Sequence, residues 1–132
     1  MALTHLHVHS HYSLLQAVPK IDELVKKAKE FGMDALALTD NGNLYGAIEF
    51  YKECTAKGIK PILGVDFYIA ARTRHNKEGR LDTKRTRIIL LAKDYDGYMN
   101  LVKLVTDSNI EGYYYKPRID LELMQRYNKG LL

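Results

Sequence analysis

Four of the five histidines in this 132-residue chain lie at alternate positions near its N-terminus, in the run HLHVHSHYS. They are His5, His7, His9 and His11. A β-strand places every second side chain on the same face, so a strand over residues 3–9 would present the first three imidazoles together. Neutral imidazole is the commonest side-chain metal ligand. A lone histidine is more often an ordinary polar residue, but this alternation predicts a metal-type site, either working or vestigial.

Composition indicates a single globular domain. Hydrophobic residues make up 46% of the chain and charged residues 27%, which are ordinary values for such a protein. No apolar run is long enough for a membrane span, and the first residues lack the pattern of a signal peptide. A single cysteine, Cys54, excludes an internal disulfide and fits a reducing compartment. We therefore expect a cytoplasmic protein with no membrane partner.

The net charge of +4 is unevenly distributed along the chain. Seven basic residues and two acidic residues lie between Arg72 and Arg87, which gives this segment a net charge of +5 and leaves −1 for the rest. Such a segment is able to contact phosphate backbones, or it is simply a solvated loop, and both alternatives remain open. Its polarity predicts a mobile loop outside the sheet.

Short apolar runs alternate with amphipathic stretches, which predicts βα repeats around a mainly parallel sheet. After the first strand, further strands are predicted at residues 34–39, 61–70 and 87–93. Helices are predicted at residues 19–32, 43–58 and 96–109, and a short helix capped by Asp120 is predicted to end near Gly130. The final Leu131 and Leu132 resemble the opening of another strand, so we expect a fragment of a larger unit.

The second helix is predicted to begin at Asn43, which would be its N-cap. Its apolar residues recur at helical spacing and define an inward face. That predicted face consists of Leu44, Ala47, Ile48, Tyr51 and Cys54.

Polar residues lie on successive strands where the carboxyl ends of parallel strands would meet, which is where α/β proteins bind ligands. His7 and His9 end the first strand, Asp40 follows the second, and Asp66 lies in the third. Taken alone, Asp40 is an ordinary turn residue and Asp66 a solvent-facing strand residue. Their convergence with the two histidines favours a catalytic metal centre.

Four segments in order resemble the PHP (polymerase and histidinol phosphatase) domain, and more narrowly the PHP domains of bacterial replicative DNA polymerases. They read HLHVHSHYSLLQ, ALALTDNGNLYGAIEFY, GIKPILGVDFYI and ILLAKDYDGYMNLVKLV. The resemblance implies an α/β fold, the N-terminal half of a distorted (β/α)7 barrel with parallel strands alternating with helices. Residues 1–132 would form that portion of the PHP domain, and the polymerase palm, fingers and DNA-binding regions would lie outside this chain.

The resemblance also implies which residues occupy the family's ligand positions. Active members bind a cluster of metal ions and hydrolyse phosphoesters, in some polymerases as a proofreading exonuclease. Here His7 and His9 match the first-motif histidines, Gln16 stands at an acidic position, Asn41 at a histidine, Asp66 at a glutamate and Arg87 at a histidine. His5 and His11 match no ligand position.

These replacements predict that the hydrolytic site has decayed. A metal cluster needs anionic ligands, whereas Gln16 removes a negative charge and Arg87 adds a positive one. We therefore expect no catalytic residue in this chain, and a vestigial metal site at His7, His9 and Asp66. That site would hold at most one Zn²⁺ or Mn²⁺ ion, weakly.

Three functions remain open. The favoured one is a structural or partner-binding part of a replicative polymerase, whose parent chain would be a DNA-directed DNA polymerase using Mg²⁺ and binding DNA and other replisome subunits. The alternative is an active metal-dependent phosphoesterase or 3'-5' exonuclease, with Gln16, Asn41 and Asp66 as substitute ligands. The third is a nucleic-acid contact module using Arg72–Arg87. The run GYYYKPR could add base stacking, or its tyrosines could pack against the barrel.

Overall fold

A computed structural model describes residues 3–132 of the chain, which form a mixed α/β fold around one long strand. This central strand is β2 (Lys60–Ala70), and the others are β1 (Ala35–Leu38), β3 (Arg85–Leu91) and β4 (Arg118–Ile119). β1 lies parallel to the first part of β2, and β4 lies parallel to its end. β3 lies antiparallel to β2 from Gly64 onward. β2 therefore connects all the other strands into one sheet.

The α/β class is confirmed, with β1 and β4 parallel to β2, but β3 is antiparallel where a parallel strand was expected. A parallel partner needs a crossover connection, usually through a helix that packs along the sheet. The connection from β2 to β3 contains only the five-residue helix α3 (Gly79–Thr83), so the chain turns back as a long hairpin. Pairs such as Tyr68 with Arg87 therefore lie directly opposite each other.

The other helices confirm most of the predicted ones. They are α1 (Ile21–Glu30), α2 (Ala47–Ala56), α4 (Tyr95–Ile110) and α5 (Leu121–Arg126). Asp120 caps α5 as predicted, since its side chain accepts a hydrogen bond from the backbone N–H of Leu123 at 3.1 Å. None of the helices in residues 3–132 has the length and apolar character needed to cross a bilayer.

Asn43 does not cap α2, which begins four residues later than predicted. Its Oδ1 accepts a hydrogen bond from the backbone N–H of Tyr45 at 3.1 Å, and its amide donates to the carbonyl oxygens of Tyr12 and Asn41. Asparagine commonly closes a turn through its own side chain in this way. Asn43 therefore closes a turn that precedes α2 and is not the N-cap of the helix.

The buried face of α2 also differs from the predicted face. Phe50 and Cys54 are fully buried, whereas Ile48 and Tyr51 are 58% and 52% exposed. Phe50 and Cys54 lie on the buried side of the helix, and Ile48 and Tyr51 lie on the exposed side. The predicted face had wrongly combined Cys54 with Ile48 and Tyr51. The prediction is correct for Ala47 and Cys54 and wrong for Ile48 and Tyr51.

Two apolar clusters form the core. The first joins α1, β1 and α2 through Ile21, Val25, Ala28, Leu36, Leu38, Phe50, Cys54 and Ile59. The second joins β2, α4, β4 and α5 through Val65, Phe67, Leu101, Leu104, Ile119 and Leu123. β2 contributes to the second cluster from the segment that pairs with β3.

Residues 3–9 run beside β1 without forming a regular strand, contrary to prediction. The backbone N–H of Ala37 donates to the carbonyl of His5 at 3.0 Å, and that of Thr39 donates to the carbonyl of Val8 at 2.8 Å. The step from His5 to Val8 is three residues, whereas the matching step from Ala37 to Thr39 is two. This mismatch breaks the alternation of side chains, as a β-bulge does.

The break in alternation separates His5 from the other two histidines. His5 and Val8 line the same shallow surface cavity on α1, together with Leu24. His7 and His9 point instead toward β2. The prediction that three imidazoles share one face is therefore wrong for His5.

The predicted mobile loop is largely an ordered hairpin connection. Arg74 is only 4% exposed and forms ion pairs with Glu111, Asp120 and Glu122. Buried polar groups are tolerated when they are paired in this way. Residues 72–84 lie outside the sheet, as predicted, whereas the last three residues of the segment, Arg85–Arg87, belong to β3.

The final residues are extended, as predicted from the two leucines. Leu132 exchanges both backbone hydrogen bonds with Leu91 at the end of β3, at 2.8 and 2.9 Å. The bridge continues between Leu131 and Ala92.

Candidate functional site

His7, His9 and Asp66 form a compact cluster at the middle of β2. Their potential ligand atoms all lie within 4.8 Å of one another. Oδ2 of Asp66 is 3.2 Å from Nε2 of His9 and 3.8 Å from Nε2 of His7. The imidazole rings meet edge to face, with their centroids 4.8 Å apart. The structure therefore brings together the three residues singled out by the sequence, and their binding of a metal stays a prediction.

Thr39 orients the imidazole of His7. Its Oγ1 lies 2.9 Å from Nδ1 of His7, accepts from the backbone N–H of Val8, and donates to the carbonyl of Val8. The contact at Nδ1 fixes the plane of the ring and leaves Nε2 facing Asp66. An oriented ring of this kind is typical of metal-ligating histidines.

Arg87 binds the carboxylate at the centre of the cluster. Its Nε donates to Oδ1 of Asp66 at 3.0 Å, and its Nη2 donates to Oδ2. Asp66 is 1% exposed, so this two-point pair provides the charge compensation that a buried carboxylate needs. The hydrogen bond to Asp66 is the main cause of the raised pKa of Arg87, and burial opposes it. Both oxygens of the only carboxylate in the cluster are thus occupied by a guanidinium.

Asp40 lies beside the cluster but serves a different role from the one predicted. Its Oδ1 accepts from the backbone N–H of Ser10 at 2.7 Å and from Oγ of Ser13 at 2.6 Å. Its Oδ2 accepts from Oγ of Ser10 at 2.7 Å. Asp40 therefore anchors the turn after His9, and its charge is used to hold that turn. Two serines three residues apart, Ser10 and Ser13, indicate this turn in the sequence, but they were not predicted to bind Asp40.

Gln16 and Asn41, which stand at two ligand positions in the resemblance, bond to each other. Nδ2 of Asn41 donates to Oε1 of Gln16 at 3.0 Å, and Nε2 of Gln16 lies 3.5 Å from the hydroxyl of Tyr68. Burial alone would raise the pKa of Tyr68, but the hydrogen bonds from Gln16 and Asn41 and the charges of Lys116 and Arg87 lower it. Tyr68 was not predicted as a site residue, although it shares a strand face with Asp66.

These contacts test whether a metal would fit. Within residues 3–132, His7, His9 and Asp66 are the one group of three or more potential ligands close enough to share an ion. A bridged cluster of several ions needs carboxylates between them, and the neighbouring carboxylate of Asp40 is already bound by serines. The donor set therefore does not fit a metal cluster. A single ion would compete with Arg87 for Asp66.

Solved structures share the fold. An amidohydrolase from Chromobacterium violaceum, with bound sulfate and no metal, superimposes with a TM-score of 0.58 at 23% identity, over 80% of this chain and 32% of that one. A protein from Bifidobacterium adolescentis, assigned as a metal-dependent phosphoesterase, superimposes with a TM-score of 0.59 at 15% identity, over 82% of this chain and 34% of that one. At these identities the likeness concerns the fold alone.

Sequence relatives are much more similar. DNA polymerase III subunit alpha is 51% identical in Chlamydia pneumoniae, over 96% of this chain. The corresponding subunits of Aquifex aeolicus and Thermus aquaticus are 47% and 46% identical, over 97% and 100% of this chain. The matched region is 10–12% of these three relatives, so the chain spans about a tenth of their length. The PHP domain family matches residues 5–132, which is nearly the entire sequence, and the chain therefore belongs to the PHP domain family.

Proposed function

We propose that this chain is the N-terminal part of the PHP domain of a bacterial replicative polymerase, DNA polymerase III subunit alpha. In this proposal the hydrolytic site is degenerate, and the domain stabilises the parent enzyme or contacts its partners. The parent is a cytoplasmic DNA-directed DNA polymerase that uses Mg²⁺ and binds DNA and other replisome subunits. The identity to three polymerase subunits over nearly the whole chain supports this reading.

The observation that supports degeneracy is the pairing of Arg87 with Asp66. An ion bound by His7, His9 and Asp66 would lie within a few ångströms of the guanidinium. Two unit charges about 4 Å apart interact by on the order of 4 kcal/mol at an effective dielectric constant of about 20. Arg87 has a 45% exposed side chain, so solvent reduces this repulsion without removing it. The fixed cation therefore competes with a metal for the same carboxylate.

A second candidate is the metal-dependent phosphoesterase or 3'-5' exonuclease. The observations in its favour are the 4.8 Å clustering of His7, His9 and Asp66 and the orientation of the His7 ring by Thr39. For this function Arg87 must give up its hold on the carboxylate. The three clustered residues could supply the three protein ligands of a single catalytic zinc ion, but a cluster of several ions requires further ligands.

The complete polypeptide that carries this chain provides the test. It is incubated with Zn²⁺ or Mn²⁺, and bound metal is measured by mass spectrometry alongside DNA synthesis and hydrolysis of a phosphodiester substrate. We expect DNA synthesis by the unmodified protein and by a His7→Ala, His9→Ala variant, with no hydrolysis in either. The matched control is His5→Ala, an exposed histidine outside the cluster.

Two results would contradict this proposal in different ways. Stoichiometric binding of several ions, lost in the double variant but retained in the control and accompanied by hydrolysis, would establish the phosphoesterase instead. Absence of templated DNA synthesis by the complete polypeptide would contradict the polymerase assignment itself.

A further inference from the structure

The basic segment between Arg72 and Arg87 contains two kinds of cation. Three arginines are neutralised by carboxylates inside the fold: Arg72 pairs with Asp82, Arg74 with Asp120, and Arg87 with Asp66. Arg72 also reaches Glu78, the remaining acidic residue of the segment. The positive charge of these three arginines is therefore largely cancelled at the surface.

The other four basic residues are Lys77, Arg80, Lys84 and Arg85. None of them forms an ion pair with any residue in the described range 3–132. The first three are exposed, and Arg85 is half-buried with its guanidinium 5.2 Å from the ring centroid of Tyr68. The excess charge of the segment is thus concentrated on one short stretch around α3.

Arg118 holds the backbone beneath these cations. Its side chain is fully buried and donates to four carbonyl oxygens at 2.9–3.0 Å. They belong to Arg74, Asn76, Asp82 and Gly112. An arginine provides several donors in a rigid plane and stays protonated even though burial lowers its pKa. The stretch is therefore ordered before any partner binds, which reduces the entropy lost on binding.

A tyrosine-rich turn lies against the same arginine. It follows Gly112, whose carbonyl Arg118 binds, and the ring of Tyr114 lies 5.3 Å from the guanidinium. Tyr113 and Tyr115 are 54% and 66% exposed, so more than half of each residue is accessible to solvent. Tyr115 has a φ of 60°, a left-handed conformation that is uncommon for an aromatic residue. Arg118 thus anchors both the basic stretch and the start of the turn that carries the two exposed rings.

We propose that Lys77, Arg80, Lys84 and Arg85, with the rings of Tyr113 and Tyr115, form a binding surface for single-stranded DNA. Unpaired cations on an ordered backbone match the phosphates of a strand, and exposed rings match its unpaired bases. Duplex DNA or an acidic peptide would use the cations but leave the rings without a partner. This proposal rests on the proposed polymerase function and names a contact that the domain makes within it.

The first test uses the complete polypeptide and a fluorescent oligothymidine strand. Binding is measured over a range of salt concentrations for a Lys77→Ala, Arg80→Ala, Lys84→Ala variant. Each lost phosphate contact lowers the slope of log affinity against log salt by about 0.7 for single strands, so the triple variant should lose about 2. The matched control removes the same charge from exposed lysines elsewhere, as Lys26→Ala, Lys52→Ala, Lys60→Ala, and should keep its slope.

The second test removes the rings as Tyr113→Ala, Tyr115→Ala. Loss of base stacking should weaken binding of the single strand by at least about fivefold, with the salt slope and the affinity for duplex DNA unchanged. Tyr45→Ala with Tyr95→Ala, two exposed tyrosines in other parts of the fold, is the control.

The outcomes separate this surface from the function on which it rests. Equal salt slopes in the triple variant and its control would overturn the surface and leave the polymerase assignment standing. Equal losses for single and double strands in the tyrosine variant would overturn the choice of single-stranded DNA. A complete polypeptide that binds no DNA at all would overturn the proposed function itself.

Discussion

Arg87 on β3 and Asp66 on β2 form a two-point ion pair, with Nε of the arginine 3.0 Å from Oδ1 of the aspartate. The two strands are antiparallel, and Arg87 lies opposite Tyr68, two residues beyond Asp66 on the same face. The hairpin between the strands therefore places a cation at the only carboxylate of the candidate metal centre.

Restoring the ligand types implied by the family resemblance should restore metal binding. The combined substitutions are Gln16→Asp, Asn41→His, Asp66→Glu and Arg87→His. They add carboxylate and imidazole donors and remove the competing cation, so uptake of Zn²⁺ or Mn²⁺ by the complete polypeptide should rise well above that of the unmodified protein. Metal content after dialysis, measured by mass spectrometry, provides the comparison.

The control for this restoration introduces two of the same residue types at exposed positions on and after α5, as Gln125→Asp and Asn128→His. This variant should bind no more metal than the unmodified protein. Equal uptake by both variants would show that binding is adventitious. Tight binding of several ions by the unmodified protein would contradict decay of the site.

Removing the guanidinium alone, as Arg87→Met, should have two opposite effects. It leaves the buried carboxylate of Asp66 without its cation, which should lower the free energy of unfolding by about 1–2 kcal/mol, since Arg87 is partly exposed. It should also allow one Zn²⁺ ion to bind at His7, His9 and Asp66. Urea unfolding and calorimetric titration with Zn²⁺ measure these effects.

Arg80→Met is the matched control, because Arg80 is an exposed arginine that forms no ion pair within residues 3–132. It should change neither quantity appreciably. Unaltered stability and Zn²⁺ affinity in Arg87→Met would mean that the ion pair with Asp66 does not control the site.

The anchor between Asp40 and the turn after His9 should contribute strongly to stability. Ser13→Ala removes a 2.6 Å hydrogen bond to a buried carboxylate, and bonds to charged groups contribute about 1.5–3 kcal/mol. Ser108→Ala is the comparison, because its hydroxyl bonds to a carbonyl of its own helix and to the amide of Asn109, with no charged partner, and should matter less. Both free energies of unfolding are measured with urea. If Ser13→Ala lowers this free energy no more than Ser108→Ala does, the bond between Ser13 and Asp40 does not stabilise the fold as expected.

Acid should destabilise the fold through Asp120. Burial would raise the pKa of this carboxyl, but hydrogen bonds from the backbone N–H groups of Arg74 and Leu123 and the charge of Arg74 lower it below its ordinary value. A lowered folded-state pKa stabilises the protein above the unfolded pKa of about 3.9, and that stability is lost as pH falls further, through the folded pKa. The free energy of unfolding should therefore decline below about pH 4.

Asp120→Asn removes this titration while retaining a residue suited to the N-cap. Its free energy of unfolding should be lower at neutral pH and should depend less steeply on pH below about 4 than that of the unmodified chain. Asp34→Asn, at an exposed aspartate before β1, is the control. An unchanged acid slope in Asp120→Asn would assign the acid sensitivity to other groups.

Cys54 should resist thiol reagents in the folded protein. Burial, helped by the nearby charge of Glu53, raises the pKa of its thiol to about 12, so little thiolate exists near neutral pH. Modification by a disulfide reagent should occur only as the protein unfolds, at a rate that increases with urea. Rapid stoichiometric modification without denaturant would show that the α2 face is not packed as described.

Local sequence determined most of the helices and the identity of the central cluster. Asp120 capped its helix as predicted because capping depends on residues three positions apart. His7, His9 and Asp66 could be selected because alternation and position along the strands are visible in sequence. The resemblance to the PHP family, which rests on four motifs in order, implies ligand replacements at Gln16, Asn41 and Arg87, and these stay a prediction.

Only the tertiary structure decided what those residues contact. The direction of β3 depends on how its hairpin folds back, and this places Arg87 on Asp66. Asp40 bonds to serines because a turn follows His9, and His5 lies apart from the cluster because of a bulge beside β1. Neither the turn nor the bulge produces a periodic pattern in the sequence. Burial of Arg74 needed carboxylates from residues 111–122, which are distant in sequence. Sequence patterns report spacing within an element, whereas charge pairing and burial are set by contacts between elements, and those exist only in the folded chain.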